Sequence, residues 1–221
     1  MTRKVLFLAI LLVPMSLVLL ASTSQANTFT VQELGVSPGA VTKISVSGFY
    51  TGEVNAGIVN LVVDGVAMNG FCIDLFHFSL SSSSSYQFLP LADAPKTPGT
   101  MNATQASQIS DLWAMAYSPT MTAEQAAGMQ IAIWEIVGGS GFSVLGNEFG
   151  ASALLSELQS YSGPGANLIA LSGPGQDYVV QRVPESGSTL AFFALAVLAL
   201  AFTRTFRLSF LTSNGLKDRS R

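Results

Sequence analysis

The chain has 221 residues, of which 49% are hydrophobic and only 10% charged, with a formal net charge of −3. The charge content is well under the roughly 25% of ordinary soluble proteins, partly because both ends are apolar; between those ends, residues 27–182 carry Lys43, Lys96 and Arg182 against eleven acidic side chains, a net of −8. That balance repels a phosphate backbone and argues against a nucleic-acid partner, and a segment of about 155 residues supports one hydrophobic core and not two.

Met1 to Ala26 reads as a signal peptide. Arg3 and Lys4 form a positive start, Val5 to Leu20 is an apolar run without a polar face, and Ser24-Gln25-Ala26 is a small-x-small cleavage site. The first half of the mature segment reads as β. Thr28 to Leu34 and Val41 to Phe49 are predicted strands, separated by a turn at Ser37 to Gly39. Gly57 to Val63 and Val66 to Asp74 flank Asp64-Gly65, a two-residue hairpin signal. That turn sets a register in which Val63 faces Val66, Leu61 faces Met68, Val59 faces Gly70 and Gly57 faces Cys72, with Cys72 on the more apolar face. Ser81 to Ser85 and the proline-rich Leu89 to Thr100 read as a long surface connection.

The second half turns helical. Asn102 to Tyr117 places Ile109, Leu112, Trp113 and Ala116 at helical spacing before Pro119. Thr122 and Gln125 have the spacing of a capping box and Gly138-Gly139 supplies a stop, which predicts a helix from Ala123 to Val137. Its inward stripe is Ala126, Gln130, Ile133 and Val137, so a glutamine stands where an apolar residue is expected. A buried primary amide without a partner costs roughly 1 to 3 kcal/mol, and Gln130 therefore needs a specific partner, a neighbouring backbone being the commonest. A short helix from Ala151 to Tyr161 and a closing strand at Tyr178 to Gln181 follow. The fold class expected is α+β: an antiparallel β-sandwich or barrel-like sheet followed by a small helical subdomain.

Cys72 is the only cysteine. An exported chain with one thiol cannot close an internal disulfide, so the thiol is buried and inert, paired between chains, or bonded to another group. His77, the only histidine, lies five residues on, and along a continuous strand that spacing sets the two on opposite faces, which argues against a thiol-hydrolase pair. Metal-ligand clusters, phosphate loops and nucleophile elbows are missing from the sequence, so no metal, no cofactor and no enzymatic turnover are expected.

Phe71-Cys72-Ile73-Asp74 together with Met129-Gln130-Ile131-Ala132-Ile133-Trp134 resembles the paired signature of bacterial thioester domains of surface adhesins, whose helix motif usually reads Thr-Gln-x-Ala-Ile-Trp; Met129 departs at the first position. The resemblance implies an internal thioester between the Cys72 thiol and the Gln130 side chain, formed with loss of ammonia. Such a bond stores an activated acyl group for covalent attachment to an amine- or hydroxyl-bearing target, in a single turnover. Phe71 and Trp134 are the expected shield against water, and Asp74 is a candidate proton acceptor for an attacking amine.

At the far end, Val183-Pro184-Glu185 precedes an apolar run at 190–202, followed by Arg204, Arg207 and a polar tail at 208–221. That order resembles the PEP-CTERM sorting signal of Gram-negative bacteria, with Ser186 in place of the usual second proline. The resemblance implies an inner-membrane precursor processed by an exosortase-type enzyme and passed to the cell surface or extracellular matrix. The run is shorter than the roughly 20 residues of a comfortable membrane span. Two functions follow: a covalent surface adhesin or matrix cross-linker, or a passive surface or matrix protein in which Cys72 and Gln130 are merely buried.

Overall fold

The computed structural model describes residues 28–96 and 99–182. The segments read above as signal peptide and sorting signal, including Val183, Pro184, Glu185 and the run at 190–202, lie outside the described residues. Among the described residues no helix is long and apolar enough to cross a membrane.

Seven antiparallel strands and three helices make up the domain, in the order β1 (Thr28–Val46), β2 (Tyr50–Val63), β3 (Val66–Cys72), β4 (Ser84–Leu89), α1 (Ala103–Ala116), α2 (Ala123–Gly138), β5 (Phe142–Val144), α3 (Ala151–Leu158), β6 (Leu168–Ser172) and β7 (Tyr178–Gln181). The sheet order is β2-β3-β7-β6-β4-β1-β5, and β1 also pairs with β2, so the first six strands close on themselves like a barrel. The expected α+β class holds, although β5, β6 and β7 come after the first helices in the chain.

The strand β1 is continuous through the expected turn. Its 19 residues pair with β4 at Thr28 to Val31, with β2 along most of their length, and with β5 at Ile44 to Val46. The Ser37-Pro38-Gly39 segment is absorbed as a register shift in the β1–β2 ladder. Gly39 and Gly57 face each other there, and a Cβ on Gly57 would lie 2.3 Å from the Pro38 carbonyl oxygen. Only glycine permits that approach. The Asp64-Gly65 turn has both residues at positive φ, 46° and 83°, as a type I′ hairpin requires. Asp64 also ties the turn to β1, its side chain accepting from the Thr30 N–H at 2.7 Å.

The hairpin register is as read from the sequence at Val63–Val66, Leu61–Met68 and Val59–Gly70. The fourth pair, Gly57 with Cys72, is not formed: the β2–β3 ladder ends at Val59–Gly70, while Gly57 pairs with Gly39 on the other edge of β2 and Cys72 is opposite Tyr178 on the other edge of β3. The connection expected from Ser81 to Thr100 contains β4 and a short 3₁₀ turn at Leu91–Asp93. Two hydrophobic clusters result. The smaller one gathers Val31, Val59, Leu61, Val63, Tyr86, Leu171, Tyr178 and Val180 from the barrel strands, and the larger one joins the sheet to the helices and includes Cys72.

Candidate functional site

Helix α2 places the glutamine. Thr122 accepts from the Gln125 N–H at 3.2 Å and the Gln125 side chain accepts from the Thr122 N–H at 2.9 Å, the reciprocal capping box expected from the spacing. From Ala126 to Trp134 every residue of the helix is buried, so this is a core element with apolar contacts on all sides and not a single inward stripe. Close packing on the α3 side depends on Gly128, where a Cβ would lie 2.2 Å from the Phe149 carbonyl oxygen.

Gln130 is 1% exposed, and its partner is the backbone of Cys72. The Cys72 N–H donates to Gln130 Oε1 at 2.9 Å, and Gln130 Nε2 donates to the Cys72 carbonyl oxygen at 2.8 Å. Because β2 leaves β3 after Val59–Gly70, the carboxamide occupies the rung that Gly57 would have filled, and it pairs with Cys72 as a strand would. The two residues singled out in the sequence, 58 positions apart, thus meet through two buried hydrogen bonds.

The Cys72 thiol is 3% exposed and donates to the Asp74 carbonyl oxygen at 3.0 Å. Burial pushes it up to about 12, with smaller pushes in the same direction from the Asp74 and Glu33 charges. The Trp134 indole acts in the opposite sense without outweighing burial, and its Nε1 is buried with no hydrogen-bond partner. The resting site therefore holds a neutral thiol and not a thiolate.

A cavity of about 100 Å³ opens beside this pair, with Cys72, Gln130 and Trp134 in its wall. Asp74 and His77 line it as well, and Phe49 and Phe78, 43% and 62% exposed, stand at its rim. The Asp74 carboxylate accepts from His77 Nδ1 at 2.7 Å and from the Phe76 N–H at 2.8 Å. His77 corrects the sequence reading. The strand ends at Cys72 and the chain bends, so alternation no longer applies and His77 shares the cavity with the cysteine.

Phe71 is the other correction. It sits one residue before Cys72 on the opposite face of β3 and packs edge-on against Trp113, with ring centroids 5.4 Å apart, and against Tyr117. It does not line the Cys72 cavity, as the two-residue period of a strand requires. Trp134 does.

Sequence reasoning missed Asp177, which is 3% exposed. It accepts from the Gly173 N–H at 3.0 Å and from the Ser172 hydroxyl at 3.2 Å, while its backbone carbonyl accepts from the Ile73 N–H, next to Cys72. Burial raises its carboxyl to about 6 against these hydrogen bonds. The Ser-Gly-Pro-Gly turn before it was the available signal, since an aspartate closing such a turn caps backbone N–H groups. Among the described residues no group of three His, Cys, Asp or Glu side chains is arranged to hold a metal ion.

No family model matches the sequence, and no curated protein matches it. Among solved structures, the chain is similar to the N-terminal thioester domain of a surface protein from Clostridium perfringens, at 9% identity and a TM-score of 0.41, over 65% of this chain and 99% of that one.

Proposed function

We propose that this is an exported surface or matrix protein that forms a Cys72–Gln130 thioester and uses it to attach covalently to an amine- or hydroxyl-bearing target. The observation that carries this reading is the docking of the Gln130 carboxamide on the backbone of the cysteine itself. Attack of Sγ on Gln130 Cδ places negative charge on Oε1, which already accepts from the Cys72 N–H, so the donor stands where charge develops. Expulsion of ammonia leaves the thioester. An incoming amine then attacks the same carbon, the C–S bond breaks, and the products are an amide and a free thiol. Trp134 and the apolar cavity wall keep water from the waiting bond.

On this reading the signal peptide exports the chain. The Val183-Pro184-Glu185 segment and the apolar run hold the precursor in the inner membrane for an exosortase-type enzyme, which passes the domain to the cell surface or matrix. A second reading has its own support, because the two hydrogen bonds to Cys72 leave the Gln130 amide satisfied and no thioester is needed to relieve its burial. The protein is then a passive surface or matrix component. Intact mass of the purified protein without reducing agent separates the two. A mass one ammonia below the sequence value, gaining one methylamine on incubation as Cys72 becomes alkylatable, establishes the bond and its reactivity. A full mass with an unmodified thiol, and no capture, leaves the passive reading.

A further inference from the structure

We propose that His77, held by Asp74, shuttles the proton of the capture step, taking it from the incoming ammonium and delivering it to the departing Cys72 sulfur. The inference rests on the thioester reading and adds the group that makes capture possible in this site. Three observations carry it.

First, His77 lines the same cavity as Cys72 and Gln130, with its side chain 59% exposed while that of Asp74 is 9% exposed. The anchor is inside and the ring is reachable by an entering target. Second, a carboxylate can only accept, so the 2.7 Å bond to Asp74 uses a proton on His77 Nδ1, and in the neutral imidazole the lone pair is then on Nε2. Asp74 accepts from the Phe76 N–H and from His77 and its side chain is only 9% exposed, so the imidazole is the acceptor that an entering amine meets, and the proton-accepting role suggested for Asp74 passes to it. Third, the sulfur cannot be released as an anion at low cost. It is buried, Asp74 and Glu33 are the charges that act on it, and the thiol sits at about 12. Its hydrogen-bond partner, the Asp74 carbonyl, accepts and cannot donate, and the Trp134 indole beside it does not offset the burial. A proton has to accompany the leaving sulfur.

R–NH₃⁺ gives one proton to Nε2, and the freed amine attacks Gln130 Cδ. As the C–S bond breaks its electron pair stays on sulfur, which takes the proton from the imidazolium. The second proton on the attacking nitrogen leaves to water, so thioester and ammonium become amide, thiol and one released proton.

The test compares wild type, His77→Ala and His77→Gln as purified full-length proteins. Intact mass is recorded first, then the time course of methylamine incorporation at neutral pH. The expected result is the same one-ammonia deficit in all three, capture at least ~100-fold slower in both variants, and partial recovery of His77→Ala with added imidazole. A surface role for the side chain would give no imidazole rescue. Capture at the wild-type rate by variants that retain the deficit overturns the inference and leaves the thioester standing. Loss of the deficit in the variants alone assigns His77 to bond formation and also overturns it. A wild type without the deficit removes the thioester reading itself, and is seen before methylamine is added.

Discussion

At the scale of single residues, the site is defined by what Gln130 does for Cys72. A buried strand end has an N–H and a C=O to satisfy, and one carboxamide satisfies both in the space that a neighbouring strand vacates. Replacing Gln130 by Leu keeps the apolar volume but orphans both groups, so stability is expected to fall by on the order of 2 to 4 kcal/mol. Urea denaturation in a Cys72→Ala background, where no thioester can form, measures the hydrogen bonds alone; an unchanged midpoint would show that they contribute nothing. The burial of Gln130 and Cys72 was legible in the sequence from the helical stripe and the hairpin register. Their docking was not, because it depends on the β2–β3 ladder ending at Val59–Gly70 and on a helix from the other half of the chain reaching the edge of β3 left open, which the turn at Asp64-Gly65 does not reveal.

At the scale of elements, helix α2 works as a wedge between the sheet and α3. It is buried from Ala126 to Trp134, and its distance from α3 is set at Gly128. Gly128→Ala would improve intrinsic helix propensity, yet the new methyl would meet the Phe149 carbonyl oxygen at 2.2 Å, a backbone atom that cannot swing aside. The clash is expected to dominate and to cost roughly 1 to 3 kcal/mol, read from thermal or urea unfolding. Because a shift of α2 moves Gln130 with it, the proposed thioester should also fail to form in this variant, leaving no one-ammonia mass deficit. A variant as stable as wild type would mean that α2 and α3 can separate freely. The capping box and glycine stop of α2 were legible because they are local; β4, β5 and β6 were not, since such short segments gain strand structure only from pairing with distant partners.

At the scale of the whole molecule, an acidic domain buries one of its carboxyl groups. Asp177 links the β6–β7 connection to the residue after Cys72, and its carboxyl is raised from 3.8 to about 6 by burial. The folded state therefore favours the protonated form. Its contribution is fully present below about pH 4 and is lost as pH rises through about 6, so between these values stability should decline. Discounted for solvent screening, the decline is on the order of 1 to 2 kcal/mol. Asp177→Asn should flatten that part of the profile, which urea unfolding at pH 4, 5, 6 and 7 would resolve. An unaltered slope would assign the dependence elsewhere, with Glu135 next in line because burial and the Glu148 charge raise it in the same sense.

The sequence by itself determined the α+β class, the hairpin at Asp64-Gly65, the bounds of α1 and α2 to within a residue or two, and the burial of Cys72 and Gln130. These follow from turn chemistry, capping and hydrophobic period, which act over a few residues. Closure of the barrel, the loss of the Gly57–Cys72 rung and the entry of His77 into the cavity were decided by tertiary structure alone. Each depends on where a strand ends, and a strand ends where its partner leaves, which local sequence does not encode.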